Sequence, residues 1–181
     1  MSRYRRAQTA GATYFFTLAS YRRQPILCDA LIRDALHNAI VSARAKRPFT
    51  IDAWVLLPDH LHCVWTLPLD DADFSTRWSI IKRQVSVSCR EVYRRTEWIT
   101  GSKQKHREST LWQRRYWEHQ IRDDTDFMRH VDYIHYNPVK HKVCENLVDW
   151  PFSTFHRYVE QGIYPANWGV NSIELDIVVG E

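Results

Sequence analysis

The run TYFFTLAS, Thr13 to Ser20, is aromatic and β-branched, carries no charge and follows Gly11, so the pattern predicts a first, central strand. From Asp29 to about Lys46 the apolar residues Leu31, Ile32, Ala35, Leu36, Ala39, Ile40 and Ala43 return at helical spacing, with Asp29 as N-cap and Pro48 closing the helix. Two β-rich runs, Phe49 to Leu57 and His60 to Leu67, flank the turn dipeptide Pro58-Asp59 and should pair as an antiparallel hairpin. After the acidic loop LDDADFS, with Ser75 as cap, Trp78, Ile81, Val85, Cys89 and Val92 mark the buried stripe of a second helix to about Arg95. The polar segment TGSKQKHREST reads as a mobile loop, and Leu111 to Ile121 as a fourth strand. Asp124 or Thr125 then caps a third helix through DFMRHVDYIHY, which Asn137-Pro138 stops.

Strand, helix, strand, strand, helix, strand is the α+β, ferredoxin-like βαββαβ pattern, an antiparallel sheet sandwich with one additional C-terminal helix. We read residues 1–181 as one domain. It comprises a basic arm (1–12), a core (13–142) and an aromatic tail (143–181), irregular from Trp150, that packs on the core.

Composition narrows the class. With 181 residues, 44% of them hydrophobic, the chain can bury a real core and is no disordered polymer. No apolar run approaches the roughly 20 residues that span a bilayer, and the N-terminus lacks a secretory signal, so the expected location is cytoplasmic, with no membrane partner. Cys28, Cys63, Cys89 and Cys144 form no C-x-x-C pair, which argues for reduced thiols and against a zinc cage.

The net charge of +4 permits a polyanionic partner, and its distribution sharpens that reading. Lys82, Arg83, Arg90, Arg94, Arg95, Lys103, Lys105, Arg107, Arg114 and Arg115 crowd the second helix, its loop and the fourth strand. Such a cluster neutralises phosphates and releases counterions. Arg3, Arg5 and Arg6 form a second basic group in the arm, and Trp112, Tyr116 and Trp117 are candidates to stack on unpaired bases.

The stretch PDHLHCVW carries the first chemistry. Side chains two apart in a strand share a face, so His60 and His62 point the same way, the geometry for two ligands on one cation. The tripeptide alone equally describes two histidines on a solvated sheet face, and two imidazoles leave a metal under-coordinated. The third helix offers more: Phe127, Val131 and Ile134 form an apolar face, while His130, Tyr133 and Asn137 line a neighbouring polar stripe. Tyr133 and Asn137 are one turn apart, whereas Tyr136 lies about 100° around the helix from Asn137, which favours Tyr133 as nucleophile. A residue before proline is biased out of helical geometry, so Asn137 is expected to sit where the helix ends.

Three segments together, GATYFFTL, HLH after a strand and turn, and WQRRYWEHQIRDDTDFMRHVDYIHYNPVKHKV, resemble the REP-associated tyrosine transposases. These are relatives of the single-tyrosine transposases of small bacterial insertion sequences, within the superfamily of histidine-hydrophobic-histidine (HUH) endonucleases. The resemblance spans about Arg3 to Tyr158. It implies a ferredoxin-like sheet presenting His60 and His62, Tyr133 as nucleophile, and Asn137 in the place of the polar third metal ligand, where insertion-sequence relatives carry glutamine. The implied cofactor is Mg²⁺ or Mn²⁺, and the implied substrate is an imperfect palindrome of the REP type folded as a single-stranded DNA hairpin. The implied product is a 5′-phosphotyrosyl enzyme with a free 3′ hydroxyl, made by a monomer or a homodimer. His130, His135, Lys140 and His141 are candidates to assist. Two rivals share the fold or the histidines. One is a non-catalytic ferredoxin-like nucleic-acid-binding module. The other is a two-histidine phosphodiesterase, which needs a second His-x-Ser/Thr element that this chain lacks.

Overall fold

The computed structural model describes residues 9–106 and 108–169. Arg3, Arg5, Arg6 and Arg107 lie outside them. Among the described residues four strands, β1 (Thr13–Ala19), β2 (Thr50–Leu56), β3 (His60–Thr66) and β4 (Trp117–Gln120), form one antiparallel sheet in the order β2-β3-β1-β4. The crossovers are α1 (Ala30–Lys46) and α2 (Phe74–Ser88), the order expected of a ferredoxin-like sandwich.

Alternation along the central strands builds two cores. Tyr14, Phe16 and Leu18 of β1, with Leu61, Cys63 and Trp65 of β3, face α1 and α2. There Trp65 stacks on Trp78 at 4.0 Å. Phe15 of β1 and Val64 of β3 face the opposite layer with Ala53 and Val55 of β2. In β2, Ile51 lies on the first face and Ala53 on the second. A register shift between them inserts Asp52, so Trp54 and Leu56 return to the face of Ile51. His60 and His62, alternating with Leu61 and Cys63, therefore point to the second layer.

That second layer is α5 (Asp124–Lys140), backed by the tail. Between α2 and α5 run two short helices, α3 (Arg90–Tyr93) and α4 (Gly101–Lys105). The tail contains a further helix, α6 (Phe155–Glu160), where an irregular course was expected, and its Phe155 and Tyr158 pack in the second core. Among the described residues no helix is long and apolar enough to cross a membrane.

Several boundaries differ from the sequence reading. The second helix stops at Ser88 instead of Arg95, after the weak helix formers Ser86, Val87 and Ser88, and Val92 is 52% exposed. Its cap is Asp73, whose Oδ1 accepts from the Thr76 amide at 2.9 Å, and not Ser75. The supposed loop TGSKQKHREST holds α4, capped by Thr100. The fourth strand shrinks to Trp117–Gln120. Ahead of it Trp112 bridges to Ser20, and then the chain bows out, with the carbonyls of Gln113 and Arg114 satisfied by the Lys82 ammonium instead of a strand. The cap of α5 is Asp123, its carboxylate accepting from the Asp126 amide at 2.8 Å, and neither Asp124 nor Thr125.

The largest departure is that α5 does not stop at Asn137-Pro138. It runs through Pro138 to Lys140, and the His141 amide donates back to the Asn137 carbonyl at 2.9 Å. Ile134, Asn137 and Pro138 are all buried, so tertiary packing outweighs the missing amide hydrogen bond at Pro138.

One charge holds the first layer together. Arg77 is fully buried and donates to the carbonyls of Arg47, Asp73 and Pro48 and to Asp71 Oδ2 at 2.7 Å. That hydrogen bond holds the Asp71 carboxyl below its usual value of 3.8. Because the folded value is the lower one, the stabilisation is complete above the unfolded value and is lost as pH falls through the folded one. Arg77→Leu leaves three carbonyls without the donor that satisfied them and the Asp71 carboxylate, whose side chain is 27% exposed, without its partner, at an expected cost of about 3–5 kcal/mol. Thermal unfolding should show a drop of roughly 6–20 °C, and a loss under 3 °C would contradict this role.

Candidate active site

His60 and His62 are 2% and 0% exposed, with ring centroids 4.8 Å apart at 83°. Their burial rules out the reading of a solvated sheet face. Each ring has one nitrogen held from behind. Asp59 Oδ1 accepts from His60 Nδ1 at 2.6 Å, so in the neutral ring the lone pair lies on Nε2. Thr17, the cross-strand partner of His62 in β1, places its hydroxyl 2.8 Å from His62 Nδ1. Nε2 of both rings is buried and has no hydrogen-bond partner among the described residues. Carboxylate or hydroxyl behind, lone pair in front, is how proteins orient imidazoles toward a metal.

The electrostatics agree. Burial first, then the charges of His60, His141, Lys140 and Arg23, hold His62 well below its ordinary value, so the ring is neutral and can ligate. Burial pushes the Asp59 carboxyl up, but the hydrogen bond and charge of His60, with Arg23, outweigh it and keep the group ionised. Neither Asp59 nor Thr17 stood out in the sequence. In the sequence Asp59 is half of a turn dipeptide, and Thr17 is visible only once the β1–β3 register is known.

α5 brings the other half. Tyr133 is 3% exposed, its ring 5.3 Å from that of His62 and edge-on to it. Asn137, one turn later and fully buried, donates from Nδ2 to the Tyr133 carbonyl at 3.0 Å. A carbonyl can only accept, so the amide is oriented with Oδ1 directed away, and that oxygen is buried with no partner among the described residues. Because the helix continues past Pro138, Lys140 falls two turns after Tyr133 on the same side, with Nζ 3.2 Å from the phenol oxygen. His141 follows with its ring 4.9 Å from that of His60.

The other two candidate helpers lie elsewhere. His135 is buried on the tail side, hydrogen-bonded to Thr154 at 2.9 Å and packed on Tyr158 and Tyr164. Burial lowers its pKa to about 3. His130 is separated from His62 by the Phe15 ring, which contacts both. It joins His119 and Asp126 in a group whose donor atoms all lie within 4.8 Å of one another and could hold a metal ion.

The basic candidates divide similarly. Lys82, Arg83, Arg90, Arg94 and Arg114 line an open cleft between α2 and the segment leading to β4. Lys82 spends hydrogen bonds on backbone carbonyls there, and Arg114 pairs with Glu108 at 3.2 Å. Arg95 and Arg115 are exposed outside the cleft lining. Trp112 is buried in the first core, while Tyr116 and Trp117 are half-buried against the sheet, so Trp112 is no stacking platform.

Residues 8–137 match the profile of a family described as Transposase IS200 like, an interval that includes both histidines, Tyr133 and Asn137. The chain belongs to this family. Such transposases are endonucleases of the HUH type and are generally metal-dependent. This IS200-like transposase is 45% identical over 168 residues to the REP-associated tyrosine transposase of Escherichia coli (strain K12), covering 93% of this chain and 91% of the relative. It also superimposes on a solved REP-associated tyrosine transposase bound to a REP hairpin, with a TM-score of 0.79, 41% identity and full coverage of both chains.

Proposed function

We propose that this transposase binds REP-type palindromes as single-stranded DNA hairpins and cleaves and rejoins them through a 5′-phosphotyrosine on Tyr133. The observation that carries the reading is the pair of buried nitrogens His60 Nε2 and His62 Nε2, without partners among the described residues, with the Tyr133 ring 5.3 Å from His62; Asn137, tied to the Tyr133 carbonyl one turn later, adds a third such atom, Oδ1. The relative with the bound REP hairpin, alike along its whole length, supports the substrate.

The donor set fits a divalent cation, Mg²⁺ or Mn²⁺, with two imidazoles favouring Mn²⁺. Bound by His60, His62 and Asn137, such an ion supplies electrostatic stabilisation of charge at the scissile phosphate. The chain does the rest. A phenol with a reference pKa near 10 is a poor nucleophile at neutral pH. The Lys140 ammonium, 3.2 Å away, stabilises the phenolate as its proton leaves to solvent. The Tyr133 oxygen forms a bond to phosphorus, the bond from phosphorus to the 3′ oxygen breaks, and that oxygen takes up a proton as the free 3′ hydroxyl. Attack of a 3′ hydroxyl on the phosphotyrosine reverses the sequence and rejoins DNA, so one ester replaces another and no nucleotide is consumed.

Hairpin binding draws on the basic cleft, which opens beside α2, whereas Tyr133 lies in the layer of α5. A bound hairpin that uses both surfaces passes around the β4 edge of the sheet. The test is incubation with a labelled single-stranded hairpin and Mn²⁺ or Mg²⁺, followed by a denaturing gel and mass mapping of the labelled peptide. A metal-dependent adduct on the peptide containing Tyr133 is expected. Cleavage without an adduct, or an adduct on another residue, would overturn the mechanism.

A further inference from the structure

We propose a second metal site, separate from the catalytic histidines, formed by His119, Asp126 and His130 and suited to a transition ion such as Zn²⁺. His119 comes from β4, while Asp126 and His130 occupy successive turns of α5. The two imidazoles take one carboxylate oxygen each: His119 Nε2 is 2.8 Å from Asp126 Oδ2, and His130 Nδ1 is 3.2 Å from Asp126 Oδ1.

Two His and one carboxylate is a donor set that zinc and its neighbours favour, with bonds near 2.0–2.2 Å. Tetrahedral coordination at that length separates ligand atoms by about 3.3 Å. Both His-to-Asp spacings already come close to it. All the donor atoms lie within 4.8 Å of one another, so no pair must close by more than about 1.5 Å, within reach of side-chain rotation.

The surroundings hold the rings for this. His130 Nδ1 donates to the Asp126 carbonyl at 2.8 Å, a bond it gives up when that nitrogen ligates, while the ring stays packed against Phe15 at 4.8 Å. His119 lies parallel to Trp117, at 5° and 5.9 Å, and near-parallel to His130, at 15° and 4.7 Å. Burial first keeps His130 below its ordinary value and therefore neutral. The His119 side chain is 24% exposed, which leaves an approach for the ion and for a water as fourth ligand. Arg122, the neighbouring cation on Asp126 Oδ2 at 3.4 Å, is 75% exposed and can swing away. Coordination uses a lone pair on each ring and transfers its proton to the other ring nitrogen. No oxidant or second reactant is needed.

An ion there ties the edge strand β4 to the first turns of the helix that carries Tyr133 and Asn137. It acts as a structural clamp, independent of whether the catalytic reading is correct. The experiment uses the full chain with His60→Ala and His62→Ala, which removes the other imidazole pair. Co²⁺ is titrated by visible absorption, and thermal unfolding is followed with and without Zn²⁺. One equivalent of Co²⁺ with a tetrahedral-type band is expected, and Zn²⁺ at 100 times its Kd should raise the Tm by roughly 5–10 °C. Adding His119→Ala, at a partly buried edge position, or Asp126→Asn, which keeps the shape, should weaken Co²⁺ at least 30-fold and remove the Zn²⁺ shift. Absence of a band at millimolar Co²⁺, or a band unchanged by either added substitution, would overturn the site.

Discussion

Tyr133→Phe is expected to eliminate the covalent DNA adduct and to lower strand cleavage by about 10³-fold or more, while hairpin affinity stays within about threefold. The substitution removes one oxygen, bonded to the Lys140 ammonium at 3.2 Å, and leaves the ring edge-on to His62. The packing of α5 on the sheet is therefore preserved, and the melting temperature should move by no more than a few degrees. Water could replace the phenol only without its fixed position, and its product would carry a free 5′ phosphate instead of a linked protein. The neighbouring Tyr136 is the internal control. It packs in the second core, about 100° around the helix from Asn137, so Tyr136→Phe should retain adduct formation. An adduct that persists in Tyr133→Phe would end the assignment. The assay pairs a labelled hairpin with a denaturing gel for the adduct and a native gel for binding.

How far the sequence leads to this site depends on which physical signal each part uses. The sheet was legible because its strands are short, apolar and separated by Pro, Asp and Gly, and because the two-residue period of PDHLHCVW places His60 and His62 on one face. The same period could not say whether that face is wet or dry. Only the packing of α5 across β2 and β3 shows both rings to be buried, and burial turns two polar residues into candidate ligands. Tyr133 and Asn137 were legible as one helical turn, but the local rule for a residue before proline misplaced the end of that helix. The contacts of Ile134, Asn137 and Pro138 override it and carry Lys140 to the phenol oxygen. Residues that act through register were invisible. Thr17 reaches His62 only through the β1–β3 pairing, and His119 reaches Asp126 only because β4 ends where α5 begins. Charge was the least legible signal. Arg77 and Lys82 count as surface cations in a sequence, yet one is fully buried and the other props the backbone ahead of β4.

His62→Ala is expected to reduce metal-dependent cleavage by at least about 10³-fold, because a cation that loses one of two imidazoles no longer sits firmly at the phosphate it must stabilise. The geometry makes His62 the more exacting of the pair. Its Nδ1 is engaged with Thr17, and the ring stacks on Phe15 at 5.4 Å and touches Tyr133 on the other side. Alanine leaves a cavity in the second core, with an expected stability loss of about 1–3 kcal/mol, so a drop in activity alone is ambiguous. His62→Gln separates the two effects: it refills most of the volume and keeps a polar atom, but a neutral amide oxygen is a poorer ligand for Mn²⁺ than imidazole. Cleavage by His62→Gln should remain at least tenfold down at saturating hairpin, recover in part as Mn²⁺ is raised, and show a melting temperature closer to wild type than that of His62→Ala. Removal of divalent ions by a chelator should bring wild type down to the level of His62→Ala. Cleavage that follows only the melting temperatures, with no dependence on Mn²⁺ concentration, would make His62 a packing residue.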